Sequence, residues 1–240
     1  MASQMDSAGA TLSIDRYWHP VIPGLSFVVL VAALNVALNG FLSDMAAHVQ
    51  PSVQYEYAVA VSLAPLVAGG LVLATGVLAV CSLALFVRSV GTVGDSDLRP
   101  VPVQETLRRF GRATGVVAVG LLALPLGLGL LVVPGLVVIV YLPFVFLGVV
   151  LDGRTIGGAI TESHARIADR PGAVVATSLA TALGLLVVGL GGILSTSLAP
   201  GAEFVVGAAA SAFVVLLGIS LLTRFYQRPR SKQSSRHGQL

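Results

Sequence analysis

Six apolar runs punctuate the chain, at 21–41, 57–87, 113–133, 136–151, 172–194 and 204–222, and none holds Asp, Glu, Lys, Arg or His. The third and fourth form one stretch: from 113 to 151 no residue carries a charge. A helix of that length would rise about 58 Å, roughly two crossings of a ~30 Å hydrocarbon core. Pro134-Gly135 near its middle removes a backbone donor and loosens φ, which predicts a helical hairpin turning there. The run at 57–87 is longer than one perpendicular crossing needs, so it tilts or begins at the interface before Pro65. The pattern predicts an all-α, polytopic membrane helical bundle with six transmembrane helices. Residues 1–20 read as a polar, interfacial N-terminus, with Tyr17-Trp18 at headgroup level. Residues 21–222 form the membrane domain, and 223–240 a basic, flexible cytoplasmic tail.

Two connections carry a helical period of their own. After Pro102, Val103, Leu107 and Phe110 fall at i, i+4 and i+7, while Glu105 and Arg109 can pair on another side. Between 155 and 168, Ile156, Ile160, Ser163 and Ile167 line one face and Glu162 can pair with Arg166. Both predict short amphipathic helices lying on the cytoplasmic membrane surface. Asp6 and Asp15 ahead of a full-length first run argue for a retained helix rather than a secretory signal.

Charge fixes the orientation. Only 10% of the 240 residues are charged, 55% are hydrophobic and mean hydropathy is +0.91. Soluble domains run near 25% charged, so such a chain cannot clothe a water-exposed surface. All fourteen basic residues fall on one side of a six-helix path. Arg16 precedes the first helix; Arg88, Arg99, Arg108, Arg109 and Arg112 lie between the second and third. Arg154, Arg166 and Arg170 lie between the fourth and fifth, and Arg224, Arg228, Arg230, Lys232 and Arg236 follow the sixth. The opposite side carries Asp44, Glu56 and Glu203. The positive-inside rule then places both termini in the cytoplasm, with the protein in the cell membrane. This placement accounts for a net charge of +3 and a pI near 9.4 without invoking nucleic acid. Thirteen arginines against one lysine hint at a GC-rich, prokaryotic source.

Uncharged spans narrow the chemistry. A central charge costs about 2.5–3.5 kcal/mol on insertion scales and is kept mainly where function needs it. Ion-coupled transport and proton pumping are therefore disfavoured. Serines lie at membrane depth without a histidine or acid to activate them, and the four histidines show no ligand spacing. Cys81 stands alone in an apolar run, a packing residue. No catalytic residue, cofactor or metal is expected. Arg108, Arg109, Arg112, Arg154, Arg166 and Arg170 are candidates for contact with anionic headgroups, and a protein partner remains open. Asn35 and Asn39, one turn apart, with Thr177 and Thr181, are candidates for interhelical packing or for a polar path.

Asp152-Gly153 resembles the start of the carboxylate motif of CDP-alcohol phosphatidyltransferases. Ile156-Gly157 stands where that family has Ala-Arg, and its later aspartate pair is reduced to Asp169. The departure favours capping, headgroup contact and salt bridging over a metal site. A broader likeness spans 128–175. Val133-Pro134-Gly135 leads to an apolar helix ending Val149-Val150-Leu151-Asp152-Gly153, then to the segment from Ile156 to Ser163, with Ala159 and Ser163 at the marked positions. This order resembles the prokaryotic multi-helix proteins related to the glycerophosphodiester phosphodiesterase membrane domain and the YciC type. The resemblance implies a six-helix membrane domain without an assigned reaction, and the phosphodiesterase barrel is missing. The expectation is a non-enzymatic structural or accessory membrane component; the alternative is an uncoupled transporter or channel for a small neutral or lipid-like molecule.

Overall fold

A computed structural model describes residues 3–49, 64–92, 103–130, 132–169, 171–194 and 200–227. All regular structure among the described residues is α-helical: α1 (Ser3–Val49), α2 (Pro65–Thr92), α3 (Val103–Leu130), α4 (Val132–Val150), α5 (Ile156–Asp169), α6 (Pro171–Leu194) and α7 (Pro200–Gln227). Four helical stretches are long and apolar enough to cross a membrane: Pro20–Ala46, Pro65–Gly91, Gln104–Gly127 and Phe204–Gln227. A fifth arises if α5 and Val174–Leu190 of α6, which meet at 104°, count as one bent span. The apolar part of α4, Pro134–Val150, is shorter. Seventeen residues rise about 26 Å, just under a ~30 Å core, so the expected six spans become four to five long ones.

Several boundaries differ from the pattern, each for a local reason. α1 reaches back to Ser3 and forward to Val49, taking in segments expected to be an interfacial terminus and a connection. Pro20 and Pro23 lie inside it. The expected surface helix after Pro102 is instead the first turns of α3, which runs unbroken from Val103 through Arg112 to Leu130. No proline separates its charged and apolar parts, so one helix serves both. α4 begins at Val132, so Pro134 occupies its first turn, where its missing N–H has no intrahelical partner to lose. The early part of the 57–87 run and the tail beyond Gln227 lie outside the described residues.

The chain divides into two compact units. One combines residues 1–89 with 181–217. Its core is Phe27, Ala79, Ala212 and Leu216, with Leu30, Leu83 and Phe86 packed against them. Small residues set the spacing: a Cβ on Gly24 would touch the Phe86 ring at 3.4 Å, and one on Gly184 would lie 3.0 Å from Val214. Ser82 on α2 donates to the Pro23 carbonyl of α1 at 2.8 Å.

The other unit combines residues 90–180 with 218–240. Its axis is the C-terminal half of α4, where every residue from Phe144 to Val150 is buried. α3 runs antiparallel along α4, with Gly120 against Leu142 and Gly127 against the Pro134-Gly135 backbone. Arg109 lies eighteen residues, or about 27 Å, from Gly127, so the charged start of α3 and the α3–α4 turn occupy opposite ends of the hairpin. α5 packs Ala159, Ser163 and Ile167 inward, while Ile156 and Ile160, expected on the same face, are exposed. The inward face thus favours small side chains, since Gly148 of α4 comes close enough that a Cβ there would meet that of Ala159 at 3.2 Å. Phe144 meets Phe225 of α7 edge to face, with ring centroids 6.4 Å apart.

Candidate functional site

The polar groups of this unit gather where α4 ends. Gly153 adopts φ +67°, a left-handed conformation that glycine enters without steric cost. This sharp reversal lets the Arg154 amide donate to the Gly148 carbonyl at 3.3 Å, closing the helix end. Two arginines of α3 reach carbonyls just beyond that end. Arg109 Nη1 donates to the Leu151 carbonyl at 3.2 Å, and Arg112 Nη1 to the Gly153 carbonyl at 3.1 Å. Cations over the negative end of a helix dipole are favourable, and here they also bond acceptors just past the helix.

Carboxylates then organise the cations. Glu105 pairs with Arg109 one turn along α3 at 3.2 Å. Glu162 holds Arg166 at 3.0 Å and Arg154 at 3.6 Å. Asp152 accepts from the Tyr226 hydroxyl at 2.6 Å and from Arg154 Nε at 3.3 Å. Arg166 lies 3.9 Å from the centre of the Tyr226 ring and also donates to the Tyr226 carbonyl, joining α5 to the end of α7. Gln227 completes the set by donating to the Gly91 carbonyl at 2.9 Å, which brings in the end of α2. These partly exposed ion pairs contribute at most about 1 kcal/mol each, but the hydrogen bonds to charged groups add about 1.5–3 kcal/mol apiece where water is excluded. Together they form a clasp linking the end of α2, the start of α3, the end of α4, all of α5 and the end of α7.

The arginines expected at headgroups sort into two sets. Arg109, Arg154 and Arg166 direct donors to carboxylates inside the protein. Arg108 is exposed, and Arg112, half-buried, has only the Gly153 carbonyl as a partner among the described residues. Arg170 lies outside the described residues. Asn35 donates its amide N–H to the Val31 carbonyl of its own helix at 3.0 Å. Asn39, Thr177 and Thr181 each have polar partners as well. Nothing in the sequence marks Tyr226, because its partner Asp152 is seventy-four residues away. Tyr141 and His164 form a further stacked pair, with hydroxyl and Nδ1 2.8 Å apart.

As chemistry, the clasp holds charge without exposing a reactive group. Each acid in it faces a guanidinium or a phenol, and among the described residues no three His, Cys, Asp or Glu side chains converge in a way that could hold a metal ion. Comparison with protein-family models, curated proteins and solved structures gives no match.

Proposed function

We propose that this is a non-enzymatic, multi-pass protein of the cell membrane that acts as a structural or accessory component, its arginine-bearing end in the cytoplasm. In this reading the chain crosses six times, with α4 and α6 adding two crossings to the four long apolar helices, and both termini are cytoplasmic. The observation that carries it is the clasp. In it α3 bonds the end of α4, α5 bonds the end of α7, and α7 bonds the end of α2, a grouping that supports basic residues lying on one side. Long apolar helices with exposed leucines such as Leu66, Leu73, Leu121 and Leu122 suit lipid contact along their length. The likeness of 128–175 to the phosphodiesterase membrane domain and the YciC type fits the same reading and adds no reaction. The test is reconstitution: purified protein in sealed liposomes should give no flux of small neutral solutes above protein-free vesicles. A solute flux abolished by Asn35→Leu with Asn39→Leu would replace this function with transport.

A further inference from the structure

Within the clasp, four guanidinium groups (Arg109, Arg112, Arg154 and Arg166) stand against three carboxylates (Glu105, Asp152 and Glu162). The surplus is localised. Arg112 has no carboxylate among the described residues, only the neutral Gly153 carbonyl, which occupies one of its five donors. Arg108 lies one turn earlier on the same face of α3, exposed and without a bond among the described residues. Gly111 stands between them on that face, and a Cβ there would meet nothing within 4 Å. Ile156, itself exposed, lies against the next turn, 3.9 Å from where a Cβ on Gly115 would be.

We infer that Arg108 and Arg112, over the open Gly111 surface, form a binding site for the phosphate of an anionic membrane lipid, with Ile156 and Ile160 beside its acyl chains. The inference rests on the membrane reading above and deepens it. Depth selects a lipid over a soluble phosphate. The uncharged part of α3, 113–130, rises about 27 Å, close to the ~30 Å hydrocarbon thickness. Arg112 therefore sits at the edge of the hydrocarbon and Arg108 about 6 Å further out, the level of the phosphates. A guanidinium pair with free donors matches phosphate geometry, and a net anionic headgroup answers the uncompensated charge. Arg109 and Arg166, already held by carboxylates, hold the platform rigid without contributing to the site.

The test is lipid binding to purified full-length protein in neutral detergent, titrated with phosphatidylglycerol or phosphatidylcholine and read by native mass spectrometry. Wild type should retain phosphatidylglycerol in preference to phosphatidylcholine. At about 1 kcal/mol per basic residue near an anionic surface, Arg108→Gln should weaken phosphatidylglycerol binding about fivefold and the double change with Arg112→Gln about thirtyfold. Arg108 bonds to nothing among the described residues, so its single variant should fold normally. Arg224→Gln should leave the lipid preference intact. An unchanged preference in folded Arg108→Gln would overturn the site, as would an equal loss in Arg224→Gln. Displacement of the lipid by inorganic phosphate at matching concentration would overturn the lipid assignment. Failure here leaves the liposome flux result untouched, so the two readings fail separately.

Discussion

Replacing Gly153 with alanine tests whether the end of α4 is held as described. The substitution acts in two ways. It forces a Cβ into φ +67°, a left-handed conformation that costs an L-residue roughly 1–2 kcal/mol. It also puts that Cβ 2.6 Å from Arg109 Cζ and 2.6 Å from Nη2, closer than any real contact, so the guanidinium must move. Arg109 cannot move without lengthening its bonds to Glu105 and the Leu151 carbonyl. Because Glu105 is about a third exposed, the ion pair is discounted to below about 1 kcal/mol, and the carbonyl bond adds about 1 kcal/mol. The expected loss is about 2–4 kcal/mol of unfolding free energy, measured by chemical denaturation in a fixed detergent. A double-mutant cycle separates the parts: in an Arg109→Ala background, Gly153→Ala should retain only the conformational cost of about 1–2 kcal/mol. Gly153→Asn, which tolerates the left-handed region but keeps a Cβ, should be relieved of the first part alone. An equal loss in the wild-type and Arg109→Ala backgrounds would show that Arg109 does not lie over Gly153, and a loss below about 0.5 kcal/mol would refute the left-handed backbone as well.

The rest of the clasp and the hairpin make similar demands. Tyr226→Phe removes the 2.6 Å bond to Asp152 from a buried ring and should cost about 1–2 kcal/mol; Asp152→Asn, which keeps an acceptor, should cost less. Glu162→Gln withdraws the carboxylate that serves both Arg154 and Arg166, for an expected loss of about 1–3 kcal/mol by the same denaturation assay. In the hairpin, Gly127→Ala sets a Cβ 2.8 Å from the Gly135 nitrogen, a backbone atom that cannot swing aside, and should destabilise by about 1–3 kcal/mol. Gly129→Ala, with nothing within 4 Å, should be neutral or stabilising by up to about 1 kcal/mol, and equal effects at both glycines would rule out the close α3–α4 approach.

What the sequence disclosed follows from how far apart the interacting groups lie. Apolar runs and helix content were legible because they rest on composition over a window of about twenty residues. The pairs Glu105–Arg109 and Glu162–Arg166 were legible because i,i+4 spacing puts them side by side on any helix. The bonds from Arg109 to Leu151, Arg166 to Tyr226 and Gln227 to Gly91 were not, since each joins helices forty or more residues apart. Hence the six nominated arginines looked alike, although the fold turns three toward internal carboxylates. The start of α3 was misread for another reason. The spacing of Val103, Leu107 and Phe110 suits a separate surface helix and the first turns of a longer one equally well, and periodicity cannot choose between them. On α5, helical spacing puts Ile156, Ile160, Ser163 and Ile167 on one face, but the fold turns Ala159, Ser163 and Ile167 inward, with Gly148 close against Ala159.

The claim on which the account depends is that the clasp end of the molecule faces the cytoplasm. In a Cys81→Ser background, single cysteines at Gln104, Gln227 and Gly201, all exposed, can be probed on intact cells with a membrane-impermeant thiol reagent. The account predicts labelling of Gly201→Cys from outside, and of Gln104→Cys and Gln227→Cys only after permeabilisation. Labelling of Gln104→Cys or Gln227→Cys on intact cells would contradict it.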